Sequence, residues 1–153
     1  MTRVVFVCTG NICRSPTAEA LLRQRAAVLG LEVEIDSCGV SAEERGNPPD
    51  PRAVAEARRR GVTMPQRRAR AIEPRDFRGP GLLVGMTRGH VRALERLQPR
   101  DAAASIHLLL DFAPGLAGQD VPDPWYGTGP SAFAEAFDLI ERGIDGLIDR
   151  LGA

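Results

Sequence analysis

Val4-Val5-Phe6-Val7-Cys8-Thr9-Gly10-Asn11-Ile12-Cys13-Arg14-Ser15-Pro16 is the stretch on which the fold of this chain turns. Its first four residues are an unbroken β-branched and aromatic run, the pattern of a strand buried on both faces. Its last residue, Pro16, opens a segment in which Ala18, Leu21, Leu22, Ala26 and Leu29 recur at helical spacing, with Gly30 just past the end. Between strand and helix stand a Cys, five residues and an Arg. A loop of that length can curl so that successive backbone N–H groups face one anion. The helix N-terminus adds the positive end of its dipole.

The same alternation continues along the chain. Residues 31–35 alternate apolar and acidic and predict a second, more exposed strand. Gly46-Asn47-Pro48-Pro49 is a loop, and Asp50-Pro51 opens a helix to about Arg60, stopped by Gly61. Residues 81–86 form another buried strand, Thr87 caps a helix to about Leu97, and residues 105–110 are a fourth strand. A Gly-, Pro- and Asp-rich loop over 113–130 leads to a last helix over 131–151, where Phe133, Phe137, Ile140, Ile144, Leu147 and Leu151 share one stripe. Strands alternating with helices predict an α/β fold in one three-layer domain over 1–153. The sheet is expected to be parallel and four-stranded, in order 2-1-3-4, with helices on both faces. Such sheets bind ligands beyond the carboxyl ends of the strands.

Composition agrees with a soluble globular protein: 43% hydrophobic and 26% charged residues argue against disorder. No apolar stretch approaches the roughly 18 residues of a membrane span, and the run after Met1-Thr2-Arg3 is too short for a secretory signal. A cytoplasmic protein is expected, with no membrane partner. Residues 1–100 hold 18 basic residues against 11 acidic, and residues 101–153 hold 2 against 9. The densest basic stretches, Arg58-Arg59-Arg60 and Arg67-Arg68-Ala69-Arg70, have no interleaved aromatics, so they read as solvated helix face and loop, not as a nucleic-acid surface. All 20 basic residues are Arg, which with abundant Ala, Gly and Pro fits a GC-rich, bacterial coding genome. Three cysteines, Cys8, Cys13 and Cys38, are an odd number that argues against a disulfide scaffold.

The chemistry concentrates in the first loop. There the N–H groups of Thr9, Gly10, Asn11, Ile12, Cys13 and Ser15 can hold the oxygens of a phosphoryl group, and Arg14 supplies a bidentate fork. The same field favours Cys8 as a nucleophilic thiolate. Gly10 permits close backbone approach, and Asn11 tolerates a left-handed conformation while its side chain tethers the loop. Ser15 can hydrogen-bond the Cys8 sulfur. The bland alternative, a buried strand-end thiol and a surface arginine, does not account for Gly, Asn and Ser between a strand and a helix. The loop lacks the Lys and spacing of a nucleotide-binding Gly-x4-Gly-Lys motif. A leaving phenolate also needs a proton, and Asp123 in Val121-Pro122-Asp123-Pro124-Trp125-Tyr126-Gly127 is placed to supply it. An Asp between prolines is by itself usually a turn residue; its pairing with the Cys8 loop makes it an acid. Trp125 and Tyr126 can wall a slot for a flat phenyl phosphate.

These motifs together resemble the low-molecular-weight protein tyrosine phosphatases over essentially the whole chain. The matching segments are residues 7–16, Asp36-Ser37-Cys38-Gly39, Asp50-Pro51-Arg52-Ala53 and Asp123-Pro124-Trp125-Tyr126-Gly127. The resemblance implies Cys8 as nucleophile, Arg14 as phosphate binder and Asp123 as general acid, with Asn11, Ser15 and Ser37 holding the loop. Ile12 joins Trp125 and Tyr126 as substrate wall, and no metal or cofactor is needed. Cys13 matches a second loop cysteine that can pair with Cys8 on oxidation; Cys38 reads as packing. The implied partner is a phosphotyrosine protein, such as a bacterial tyrosine kinase, acted on by a monomer; export without a signal peptide is the other known setting. Two departures stand out: Arg67 replaces a His that helps tether the loop Asn, and Thr87 replaces an Asp. Siblings on the same fold are arsenate reductases, which need further relay cysteines, and arginine phosphatases, which tend to carry Thr where Ile12 stands. A silent phosphate-binding module is the non-enzymatic alternative.

Overall fold

Along β1 (Thr2–Cys8) the side chains of Val4, Phe6 and Cys8 point to one face of the sheet and those of Val5 and Val7 to the other. All five are buried, which is why the run carries no polar alternation. In the computed structural model, which describes residues 1–127, 129 and 131–152, β1 lies between β2 (Val33–Gly39) and β3 (Gly81–Gly85). The last strand, β4 (Ser105–Leu108), pairs with β3, and every pairing is parallel. The order is β2-β1-β3-β4, as the sequence predicts for one α/β domain.

The two faces are covered by different helices. Against Val4 and Phe6 pack α1 (Arg14–Leu29), α2 (Pro51–Arg59) and, C-terminal to all others, α5 (Ser131–Arg150) with Phe133, Phe137, Ile140, Ile144 and Leu147. Against Val5 and Val7 lie α3 (Pro74–Arg78) and α4 (Arg88–Leu97), which contribute Phe77 and Leu94. Each fully buried residue of this size stabilises the fold by about 1.5–3 kcal/mol before entropic costs. Among the described residues no helix is long and apolar enough to cross a membrane.

Four boundaries differ from the sequence expectation. The first helix begins at Arg14, ahead of Pro16, because the loop winds directly into it: Thr17 N–H donates to the Cys13 carbonyl. The second strand starts at Val33, since Gly30 takes a left-handed cap (φ 70°) and Leu31 N–H returns to the Ala26 carbonyl. It then runs on through Asp36-Ser37-Cys38-Gly39, in register with Val5 to Cys8. The fourth strand ends at Leu108, because Leu109–Phe112 turn into a 3-10 helix seated on α5. Gly143 and Gly146 make that seat, and a Cβ on Gly146 would run into the Phe112 carbonyl. Finally, α3 was not anticipated; five residues are too few for periodicity, although Glu73 and Asp76 form its reciprocal cap. Within the long loop Pro124–Tyr126 forms a 3-10 turn, and the loop's far end at Thr128 and Pro130 lies outside the described residues.

This topology places Cys8 at the carboxyl end of the central strand. The chain leaves β1 toward β2 on one side and later returns to β3 on the other, so the loop after Cys8 opens into the crevice at that switch.

Candidate active site

The Cys8 loop is built around one left-handed residue. Asn11 has φ 61°, the only positive φ among the described non-glycine residues, and it is 1% exposed. Its amide is fully used: Nδ2 donates to Ser15 Oγ (2.9 Å) and Ser37 Oγ (3.0 Å), while Oδ1 accepts from Arg67 Nη2 (3.0 Å) and Arg70 N–H (3.1 Å). Four such bonds offset the roughly 1 kcal/mol or more that a non-glycine left-handed residue costs. On the sheet side Gly39 lets the loop close in, because a Cβ there would stand 2.5 Å from the Thr9 carbonyl. Among the described residues, the N–H groups of Thr9, Gly10, Asn11, Ile12 and Cys13 find no acceptor within the chain. Five orphan donors on one turn, beside a helix N-terminus, make a site for an anion.

Cys8 sits on the floor of that turn, 3% exposed, with Ser15 Oγ 3.0 Å from its sulfur. Ser15 Oγ accepts from Asn11, so its single proton faces two acceptors, the Cys8 sulfur at 3.0 Å and the more distant Cys38 carbonyl at 3.4 Å. Arg14 is buried; Nη1 donates to the Val121 carbonyl (2.9 Å) and Nη2 lies 3.4 Å from Asp123 Oδ2. Asp123 in turn caps the Pro124–Tyr126 turn by accepting from Trp125 N–H at 3.0 Å. Loop and acidic segment, far apart in sequence, therefore meet at Arg14.

The result is a slot of about 220 Å³. Cys8, Thr9, Gly10, Ile12, Cys13, Arg14, Asp123, Trp125 and Tyr126 all line it, while Asn11, Ser15 and Ser37 are buried beneath. Trp125 is half exposed and Tyr126 more so, so they form a rim above the slot. Arg52 braces the rim, its guanidinium 4.9 Å from the Trp125 ring centre and bonded through Nη2 to Asp50 at 2.9 Å. Burial, and secondly the neighbouring Cys8, pushes the Cys13 thiol well up. Burial likewise pushes up Cys38, which packs with Val5, Val7 and Phe77.

Several residues escaped the sequence reading. Glu43 and Glu44 form part of the slot wall, Glu44 lying against Gly10. Glu19, inside α1, is 2% exposed and accepts from Ser37 Oγ (2.6 Å) and Arg67 Nη1 (2.5 Å). Arg67, noted above as a departure from the resemblance, binds Asn11, Ser37, Glu19 and Asp36 at once, so it reaches the loop Asn that the His would tether. His90 touches Thr9 from the opposite side. None of these contacts has a periodicity or motif that would reveal it.

The comparisons with known proteins fit this geometry. The family model for low molecular weight phosphotyrosine protein phosphatase matches residues 3–153. The chain is similar to the low molecular weight protein-tyrosine-phosphatase of Streptomyces coelicolor, at 43% identity over 151 residues, 95% of this chain and 91% of that one. Among solved structures, YfkJ of Bacillus subtilis superposes with a TM-score of 0.88 at 34% identity, covering 98% of this chain and 94% of that one. The arginine phosphatase YwlE, also from Bacillus subtilis, superposes with a TM-score of 0.84 at 27% identity over 98% and 95% of the two chains, as a cysteine-to-serine mutant with a phosphorylated active-site serine.

Proposed function

The chain belongs to the low molecular weight phosphotyrosine protein phosphatase family, and on that basis we propose that it hydrolyses phosphotyrosine in proteins through a Cys8 thiophosphate. In the first step the Cys8 thiolate attacks phosphorus in line, the bond to the phenolic oxygen breaks, and Asp123 donates its proton to that oxygen. Arg14 and the N–H groups of residues 9–15 hold the equatorial oxygens as charge redistributes. In the second step water attacks the thiophosphate, Asp123 takes the water's proton, and inorganic phosphate leaves the Cys8 thiolate. The Ser15 hydroxyl, 3.0 Å from the sulfur, stabilises that leaving thiolate. The reading extends to a single phosphatase domain over 1–153 in a monomeric, cytoplasmic bacterial enzyme. Three unpaired buried thiols suit a reducing compartment. A bacterial tyrosine kinase is a substrate of the right chemistry, and Cys13 is the partner for a protective disulfide with Cys8.

The observation that carries this reading is the meeting of Cys8, Arg14 and Asp123 in one slot with five N–H groups that have no acceptor among the described residues. Hydrolysis of p-nitrophenyl phosphate by the reduced protein tests it: turnover is expected, and Cys8→Ser is expected to abolish it. Absence of turnover by the wild type overturns the reading. The likeness to an arginine phosphatase favours phosphoarginine as the second candidate substrate. Ile12, an apolar wall for a phenyl ring, favours the aryl ester, and kcat/KM on matched phosphotyrosine and phosphoarginine peptides decides between them.

A further inference from the structure

The turn that leaves β3, Met86-Thr87-Arg88-Gly89-His90, touches both halves of the slot. The Met86 carbonyl accepts from Val121 N–H (2.9 Å), and Arg88 N–H donates to Asp120 Oδ1 (2.8 Å), so the turn holds the segment that carries Asp123. Val121 is also the residue whose carbonyl receives Arg14. From the same turn His90, 5% exposed, reaches across to the other half, its Nε2 standing 2.9 Å from Thr9 Oγ1.

The ring's tautomer follows from its second nitrogen. Thr87 N–H donates to His90 Nδ1 at 3.2 Å, so Nδ1 carries a lone pair and the proton of the neutral ring is on Nε2. Nε2–H therefore donates to the Thr9 hydroxyl. Burial, and next the charge of Arg14, pushes His90 down to about 4 against the opposing pull of Asp120 and Asp123, so the ring is neutral at neutral pH. Thr87 and His90 form a reciprocal cap in which His takes the place that Glu or Gln usually holds. A Glu would cap the helix equally well, but it has no proton to give Thr9 and would set a negative charge beside an anion site. His meets both demands.

We propose that His90 is a positioning residue for the phosphate loop: by donating to Thr9, the first loop residue after the nucleophile, it locks the loop to the segment that carries Asp123. Thr9 is solvent-exposed, so the buried imidazole is what fixes its side chain, and with it the first N–H of the cradle.

The test is a double-mutant cycle. Thr9→Val removes the hydroxyl and leaves the helix cap intact; His90→Ala removes both; His90→Gln keeps an acceptor for Thr87 and a donor for Thr9. The kinetic arm rests on the phosphatase reading and uses kcat on p-nitrophenyl phosphate. The second arm does not: it follows binding of inorganic phosphate by the fluorescence of Trp125, the only tryptophan. Thr9→Val and His90→Ala are each expected to lower kcat and phosphate affinity about tenfold, the size of one hydrogen bond. The double variant is expected to lose about tenfold again in total, not a hundredfold, and His90→Gln to return within about threefold of wild type. Losses that multiply in the double variant, a Thr9→Val protein with unchanged phosphate affinity, or His90→Gln no better than His90→Ala would each overturn the proposal. A wild type that binds phosphate without turnover removes the phosphatase reading and leaves this one to be judged on phosphate alone.

Discussion

Arg67 Nη2 lies 3.0 Å from Asn11 Oδ1, and the same oxygen accepts the backbone N–H of Arg70 at 3.1 Å. A backbone N–H can only donate, so it fixes which end of the Asn11 amide is oxygen, and hence that Nδ2 faces Ser15 and Ser37. A continuous path then runs from Arg67 through Asn11 and Ser15 to the Cys8 sulfur. The guanidinium also spans Glu19, Asp36 and the Ser37 carbonyl, more partners than an imidazole can reach. The arrangement has a cost: Nε of Arg67 and Nε of Arg70 are buried with no partner among the described residues.

Removing Arg67 therefore does two things. Arg67→Ala leaves the buried Glu19 carboxylate with Arg23 as its remaining cation and frees the Asn11 amide, so a loss of about 1–3 kcal/mol in stability is expected. Turnover of p-nitrophenyl phosphate should fall by roughly tenfold or more, in proportion to one lost hydrogen bond to the loop. Urea unfolding with parallel kinetics on the folded protein checks both; a stable variant with unchanged kcat would remove Arg67 from the tether.

For Asp123 the leaving group is the probe. Asp123→Asn removes the proton donor, and turnover of phenyl phosphate should drop by about 10²–10⁴. The drop should be smaller for p-nitrophenyl phosphate, whose phenolate departs without much help. Inorganic phosphate should bind no more weakly, because the substitution also removes the carboxylate 3.4 Å from Arg14. Equal losses on both esters would place the acid elsewhere.

The difference between what the sequence disclosed and what it hid is physical. The central strand and the Cys8 loop were legible because a strand buried on two faces must be apolar at every position, and a phosphate cradle constrains consecutive residues. Asp123 was legible only as half of a pair, since a turn between prolines looks alike with or without chemistry. Glu19 and His90 were not legible, and Arg67 only as a departure from the resemblance: each acts on the loop from a separate helix or strand-connecting segment, and long-range hydrogen bonds leave no local pattern. The same holds for the end of β4, where the deciding residues, Gly143 and Gly146, lie on a different element.

That seat yields a prediction of opposite sign to helix propensity. Gly→Ala inside a helix ordinarily stabilises by about 0.5–1 kcal/mol. At Gly146 the added methyl would meet the Phe112 carbonyl, which is backbone and cannot swing away. Gly146→Ala should thus destabilise by about 1–3 kcal/mol, as overpacking does, and an increased urea midpoint would contradict the packing described for α5.

His90 also predicts how stability responds to acid. Its ordinary value is near 6.5, and burial followed by the Arg14 charge brings it down to about 4 in the folded chain. Between those values the unfolded chain binds a proton that the folded one does not, so stability rises with pH across the window and is lost on acidification from about 6.5 toward 4. The loss from this group is roughly 3 kcal/mol. The half-buried His107 is lowered too, by burial and then Arg150, and adds slope of the same sign. Asp50 and Asp76 behave differently: burial alone would raise them, yet hydrogen bonds from Arg52 and Arg70 hold them below the ordinary carboxylate value, so their contribution fades only at lower pH. Urea unfolding of wild type and His90→Gln at intervals from pH 7 to 4 separates these terms. The gap between the two curves should change by about 3 kcal/mol across the window, and parallel curves would mean that the imidazole is not held neutral by its burial beside Thr9 and Arg14.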